Sequence, residues 1–430
     1  MIFYSIREKF IFYNIPIFLF SLIPFFLILG PFLSDLSISL ISIIFLTYCI
    51  KKNNFSYFNK NYFYFFLLFW VYLIFNSLIN NFNLESFKIS FFYFRYGVFV
   101  VAIASMLEVN DKFIKYFFYC IFLCFLALVI DGFYQYFNKE NILGWKASIR
   151  ISSFFGDEKI LGSYLSRLWP IFFGLSIFFL NKKNILFILF VLIFILSEAL
   201  IFLSGDRTAF FYINISALFI IFLSKKLFKL RLYTLISSIF LLIIISFINP
   251  SAKERVFDQS IDQMNIKINA ETKKTKKKEE KDHIYIFSKQ HTHHYITAYK
   301  MFLDNKVLGV GVKNFRKFCD FEKYKESELS CSSHPHNTYI QILSETGLIG
   351  FAFLLFIFIF FWKYVFKHLL LRFSKKYIFS DFEICILSGI LIYIWPIVPT
   401  GNIFNNWLNI MMILNLPFLI WSKNSLKRIN

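Results

Sequence analysis

Chemistry in this chain is confined to short polar stretches between long apolar runs. The most suggestive is Ser333-His334-Pro335-His336-Asn337-Thr338-Tyr339-Ile340-Gln341-Ile342-Leu343-Ser344-Glu345-Thr346-Gly347. His336 stands just ahead of an apolar segment, where an imidazole can serve as general base toward a hydroxyl. A histidine beside a helix start is equally at home as an ordinary surface residue, and the sequence leaves both readings open. Asn337 suits the N-cap of a helix from Thr338, which puts His336 at the positive end of that helix, a place that favours an anion. Asn337, Gln341 and Glu345 recur at four-residue spacing and form one polar stripe. In a regular helix Glu345 lies on the far side from His336 and about 13 Å lower, so no direct relay joins them. Glu345 is expected instead to pair with an arginine inside the membrane, while Gly347 and Gly350 admit a neighbouring helix closely.

Arginines supply the complementary charge. Arg207 ends the turn Ser204-Gly205-Asp206-Arg207, and Arg150 opens Arg150-Ile151-Ser152-Ser153-Phe154-Phe155-Gly156-Asp157-Glu158. A planar guanidinium suits a phosphate or diphosphate, although an arginine at a helix end can also simply reach for the interface. Arg95 and Arg167 fall inside apolar runs, where an unpaired charge is costly. Arg95 is expected to be paired structurally and Arg167 to line a cavity; Asp157 and Glu158 are the acids considered as partners.

Positioning these groups is the work of a membrane-embedded scaffold. The chain has 430 residues, 58% hydrophobic and 17% charged, against about a quarter charged in soluble domains. Apolar runs of spanning length occur near 12–30, 33–50, 62–79, 89–107, 113–137, 160–180, 184–203, 208–224, 229–248, 338–362, 383–399 and 403–422. The expected fold is therefore an all-α polytopic membrane bundle of about twelve transmembrane helices with one large periplasmic loop. Three parts follow: an N-terminal bundle (1–248), the loop (249–337) and a C-terminal bundle (338–430). The net charge of +20 argues against nucleic acid as partner, because the basic residues cluster between apolar runs and so read as orientation signals. Lys51, Lys52, Lys60, Lys112, Lys115, Lys182, Lys183, Lys225, Lys226, Lys229, Arg231, Lys363, Lys367, Arg372, Lys375, Lys376 and both termini sort to one side, expected to be cytoplasmic. The Met1–Lys9 segment leads into a first helix with no small-residue cleavage site and is expected to be retained.

On the opposite side the 249–337 connection holds the basic run Lys273–Lys281, expected to be solvated and disordered, then a helical spacing of Tyr295, Ala298, Tyr299, Phe302 and Leu303 that should pack on the membrane domain. Cys319 and Cys331 face an oxidising compartment in this topology and are expected to form a disulfide. His283, His291, His293 and His294 lack the ligand spacing of a metal site, so none is expected. Gly309-Val310-Gly311 is read as a turn.

In this order, these stretches resemble the bacterial O-antigen ligase and O-antigen polymerase superfamily of membrane glycosyltransferases, from about Arg150 to Phe351. The carriers are His336-Asn337 with Gln341, Glu345-Thr346-Gly347-Leu348-Ile349-Gly350, the lead-in Gly309-Val310-Gly311 with Asn314-Phe315, and Arg207 after a serine-containing turn. The chain departs from the family at Asp157-Glu158, where Asn-Pro-Asn is common, and at Asp206, where serine is. The resemblance implies inverting transfer of a glycan from undecaprenyl diphosphate to an acceptor hydroxyl at the periplasmic face of the inner membrane, with neither metal nor nucleotide as cofactor. It implies His336 as base or acceptor-orienting group and Arg207 as the second catalytic residue, with Arg150 also on the diphosphate. Arg167, Asn337, Gln341 and Glu345 complete the expected substrate-binding set, and membrane lipids are further partners. A lipid A–core acceptor is favoured; repeat-unit polymerisation, transfer onto protein and a lipid-linked oligosaccharide transporter are the alternatives. A transporter would be expected to show repeated halves, and no repeat is visible.

Overall fold

A computed structural model describes residues 10–80, 82–147, 150–179, 185–248, 250–264 and 285–425. The Met1–Lys9 segment, Lys182, Lys183, the Lys273–Lys281 run and His283 lie outside the described residues, within which the chain is helical and without strands. Every expected apolar run carries a helix. The order is α1 (Ile15–Leu29), α2 (Pro31–Lys51), α3 (Asn61–Ile79), α4 (Leu84–Phe92), α5 (Phe94–Val109), α6 (Ile114–Asn138), α7 (Leu161–Phe179), α8 (Ile185–Leu203), α9 (Arg207–Leu223), α10 (Phe228–Ile248), α11 (Lys289–Asp304), α12 (Thr338–Phe373), α13 (Asp381–Ile394), α14 (Asn406–Ile413) and α15 (Asn415–Ser425). The protein is an all-α, multi-pass membrane protein. Among the described residues seven helices are long and apolar enough to cross a bilayer, including Asp111–Asn138, Phe228–Ile248 and Thr338–Phe373.

α7 and α13 pack against each other, and α9 packs against both. Leu168, Trp169, Phe172 and Phe173 on α7 and Ile384, Ile386 and Ile392 on α13 have no solvent exposure. A helix apolar on all sides belongs in the middle of a bundle. Those two helices therefore form the post from which the polar ends of their neighbours are hung.

Contacts between connections divide them into two ends, in the way the charge map does. At one end the backbone amides of Lys225 and Lys226 donate to Asp381 at 2.8 Å, and the His368 ring meets the Leu223 carbonyl at 3.2 Å. At the other, Arg150 meets Ser204, Asn80 meets Leu308 and His336 meets Thr400.

Several charged residues differ from expectation. Arg95 is paired, but with Asp35 at 2.7 Å rather than with Asp157 or Glu158, since α2 and α5 are neighbours. Arg231 is no part of an exposed connection. It is sealed within the bundle, 2.5 Å from Glu198 and 4.2 Å from the Trp169 ring, because α10 already begins at Phe228. Likewise α12 runs on to Phe373 and carries Lys363, Lys367 and Arg372 on its last turns.

A candidate site of arginines and imidazoles

The Ser204–Arg207 turn gathers three guanidinium groups. Arg150 donates from Nε to the Ser204 carbonyl (2.8 Å) and from Nη2 to that of Lys159 (2.9 Å), and Arg255 donates from Nε to the Gly205 carbonyl (3.2 Å). Arg207 reaches Ser260 Oγ (3.2 Å) and Gln263 Oε1 (2.9 Å). Gly205 has φ +61°, and a Cβ there would lie 2.7 Å from Arg255 Cδ and 3.3 Å from Arg150 Cγ. Only glycine both takes that backbone and lets two arginine stems cross it. The acid at the turn, Asp206, caps α9 by accepting from the Ala209 amide at 3.1 Å. Burial first lowers the Arg150 guanidinium from its ordinary value; Asp206 opposes this, while Arg255 and Arg207 add to it. Three guanidinium groups around one turn, with Asp206 as the acid among them, make this end of the bundle locally positive. Arg255 was not singled out from the sequence. Its one signal was a lone arginine beside Val256 and Phe257, an apolar pair at the start of the long loop.

Imidazoles form the adjoining layer. His291 and His294 project from α11, and His334 and His336 from the loop that enters α12. Ring centroids are 4.1 Å apart for His334 and His336, 5.3 Å for His294 and His336, and 5.4 Å for His291 and His336. Burial lowers His291, His294 and His336 to about 4 and His334 to about 3. Neighbouring imidazoles add to the effect, and the Arg207 charge acts on His291 as well. All four are therefore neutral at pH 7. Among the described residues no group of three His, Cys, Asp or Glu is arranged to hold a metal ion.

The two histidines of His334-Pro335-His336 have different freedom. His334 Nε2 faces the Thr400 carbonyl at 3.1 Å and must carry the proton, which leaves Nδ1 to accept from Ser333 Oγ at 2.8 Å. Among the described residues the His336 ring has one hydrogen-bonding partner, the Ser332 hydroxyl, 3.0 Å from Nε2, which can donate or accept. His334 is thus locked in one tautomer, and His336 is free to take up a proton. His336 also has φ +57°, a left-handed backbone that non-glycine residues seldom adopt. The Thr400 amide, donating to the His336 carbonyl at 2.8 Å, holds it there.

Asn337 caps α12, accepting from Tyr339 and Ile340 amides at 3.0 and 3.1 Å, and donates to the Pro396 carbonyl at 2.9 Å. Gln341 donates to Asn402 Oδ1 (3.0 Å) and Glu345 Oε2 (3.1 Å) and accepts from the Ile403 amide (3.2 Å). Among the described residues Glu345 pairs with no arginine. Its Oε1 accepts the Phe315 amide at 3.1 Å, so the buried carboxylate ties down the long loop. Gly350 does face a neighbouring helix, with Tyr72 of α3 3.3 Å from where its Cβ would be, but at Gly347 it is loop backbone that comes close. α12 is broken there (φ +63°, ψ −165°), and loop backbone crosses the break: Val310 and Gly311 amides donate to Ser344 and Glu345 carbonyls at 2.9 Å, and Leu348 donates to Lys306 at 2.8 Å. A Cβ on Gly309 would lie 2.5 Å from the Glu345 carbonyl carbon, and one on Gly347 2.3 Å from the Val307 oxygen. The Gly309-Val310-Gly311 turn is therefore half of a backbone clasp. Cys319 and Cys331 are disulfide-bonded, with Cα atoms 5.1 Å apart.

Arg167, 5% exposed, has no carboxylate partner among the described residues. Its Nη1 donates to Ser163, its guanidinium lies 4.9 Å from the Tyr212 ring and 5.7 Å from that of Tyr393, and its Nε is unpartnered. Gly162, one turn earlier on α7, packs against Ser204 and Asp206, so Arg167 lies beneath the arginine turn. Beside the histidines, a cavity of about 290 Å³ opens between α11 and α12, lined by Tyr295, Ile296, Ala298, Tyr299, Phe302, Ile340 and Leu343.

Fold and site together define a polytopic membrane protein with a cationic, imidazole-lined polar site at one end of its bundle. Residues 188–355 match the family model described as O-antigen ligase. The match takes in Arg207, Arg255, all four clustered histidines and Glu345, and leaves Arg150 and Arg167 outside it. None of the curated proteins compared with the chain matches it.

Proposed function

We propose that the chain is an inverting glycosyltransferase of the O-antigen ligase type, moving a glycan from undecaprenyl diphosphate to a hydroxyl of lipid A–core at the periplasmic face of the inner membrane. The observation that carries this reading is the convergence of Arg150, Arg207 and Arg255 on one turn, one imidazole away from His336. In the proposed reaction the acceptor hydroxyl gives its proton to His336, its oxygen bonds to the anomeric carbon, and the bond from that carbon to the diphosphate oxygen breaks. The electron pair leaves on the diphosphate, and the three arginines neutralise it. A diphosphate is a good leaving group, so holding the reactants and balancing charge are the main demands on the protein. Arg167 is assigned to the same anion from below, and the apolar α11–α12 cavity to a lipid chain. Asn337, Gln341 and Glu345 act here by holding the loops that frame His336.

A deletion strain tests the reading by the banding of its lipopolysaccharide. Loss of all long chains with carrier-linked polymer accumulating is expected; core bearing a single repeat would assign polymerisation instead. Complementation with His336→Ala, Arg207→Ala or Arg255→Ala, each at wild-type protein level, is expected to leave the defect. Wild-type glycan in all three contradicts the assignment.

A further inference from the structure

The connection that brings Arg150 to the anion site is wound around two side chains that no step of the proposed chemistry uses. Asp131 and Gln135 stand one turn apart on α6, and both are fully buried. Asp131 accepts from the Ile142 amide at 2.9 Å, from Ser153 Oγ at 2.6 Å and from Asn141 Nδ2 at 3.3 Å. Gln135 accepts the amides of Ser152 and Ser153 at 2.9 and 2.8 Å through Oε1 and donates to the Trp145 carbonyl at 3.1 Å. Asn141 completes the frame: its Oδ1 accepts Leu143 and Trp145 amides at 3.0 and 2.8 Å, and its Nδ2 also donates to the Ser153 carbonyl at 3.1 Å. Ser153 has φ +50°, a left-handed backbone for a residue with a Cβ, sustained only where surrounding bonds over-determine it.

A carboxylate buried without a cation is expensive, and a glutamine with both ends engaged in loop backbone is a strong constraint. Neither is required to hold α6 in the bundle, since the apolar residues Phe117, Phe118, Ile121, Phe125 and Leu128 already bury that helix. What they do is fix the connection, Gln135 at Ser152 and Ser153 and Asp131 at Ser153, and the segment just before them is the one that crosses to α8 and α9. The Ile151 amide meets the Leu203 carbonyl at 3.4 Å, and Arg150 meets Ser204. We propose that Gln135 and Asp131 are positioning residues for the anion site, setting where the Arg150 guanidinium stands against the Ser204–Arg207 turn. The inference rests on the reading of that turn as an anion site and extends it to two residues on a helix that contributes nothing else to it.

Binding of inorganic diphosphate to the purified full chain, followed by calorimetry, separates the two ideas without depending on turnover. Arg150→Ala is expected to weaken binding about 10-fold, the loss of one charge-assisted contact. Gln135→Leu is expected to weaken it by a similar factor, with Gln135→Glu, which keeps the acceptor for Ser152 and Ser153, retaining most of the affinity. The double variant Gln135→Leu with Arg150→Ala is expected to be no weaker than Arg150→Ala alone, because the two changes act through one group. Asp131→Asn gives the same comparison should Gln135→Leu fail to fold. Weakening by Arg150→Ala but not by the Gln135 and Asp131 variants, or full additivity in the double variant, overturns the positioning role. Wild-type affinity in Arg150→Ala removes Arg150 from the anion site and overturns the inference with it. Normal diphosphate binding without glycan transfer contradicts the proposed function alone.

Discussion

At the scale of single residues, His336 differs from His334 in having a ring not held in one tautomer, since His334 is locked by Thr400 and Ser333. Burial holds His336 down at about 4, which makes it a weak base in the free protein. A diphosphate bound beside it adds negative charge, and nearby negative charge raises a histidine. Two limbs follow. The acid limb of kcat/KM, which reports the free protein, is expected near pH 4, and that of kcat, which reports the complex, at higher pH. Coincident limbs would show that the anion does not act on the titrating group. Stability has its own sign. The four histidines are lowered in the folded protein, so between about 6.5 and 4 the opened form binds more protons and the docking of α11 on α12 weakens as pH falls. Hydrogen exchange of α11 amides at pH 7 and pH 4.5, each referred to the intrinsic exchange rate at that pH, measures this, and lower protection at pH 4.5 is the expected result.

At the scale of elements, α12 shows what sequence can and cannot reveal. Its start was legible: Asn337 before Thr338 is an N-cap by residue type, and the bonds to Tyr339 and Ile340 are present. Its break was not, because Gly347 reads equally well as a helix-packing glycine, and only the three-dimensional path brings Val307 to Gly311 across it. The same limit applies to Glu345. A four-residue spacing places it on a face, but its partner is the Phe315 amide, 30 residues distant in sequence. Glu345→Ala strands that amide, at a cost of about 1–3 kcal/mol, and is expected to lower thermal stability in detergent; Glu345→Gln, which keeps an acceptor, is expected to lower it less. Equal stability in both would deny the carboxylate its loop-holding role. Gly309→Ala, at φ +71° with backbone 2.5 Å from its new Cβ, is expected to prevent the clasp and reduce the yield of folded protein. The disulfide closes a segment with a sequence separation of 12, for which cross-linking is worth about 3 kcal/mol at most. Reductant is therefore expected to loosen the Cys319–Cys331 hairpin while leaving the bundle folded, as read by protection of these amides against those of α7.

At the scale of the molecule, the apolar runs and their basic flanks set out the bundle and the grouping of its ends, because bilayer thickness and charge bias act on composition and need no long-range contact. The site is harder to read, since its parts come from residues 131–159, 204–207, 255–263, 291–294, 334–345 and 396–403, and no periodicity links them. Arg207 and His336 were visible as residue types in telling places; Arg255, His334 and Thr400 became visible only when the chain was folded. The central claim is that this assembly moves a glycan from a polyprenyl diphosphate to a hydroxyl acceptor. Purified full-length protein in lipid, given undecaprenyl-diphosphate-linked glycan and lipid A–core, measures it directly. The account predicts glycosylated acceptor and released undecaprenyl diphosphate in equal amounts, with His336→Ala slower by about 10²- to 10⁴-fold, the usual worth of a general base. Transfer by His336→Ala at the wild-type rate would contradict it.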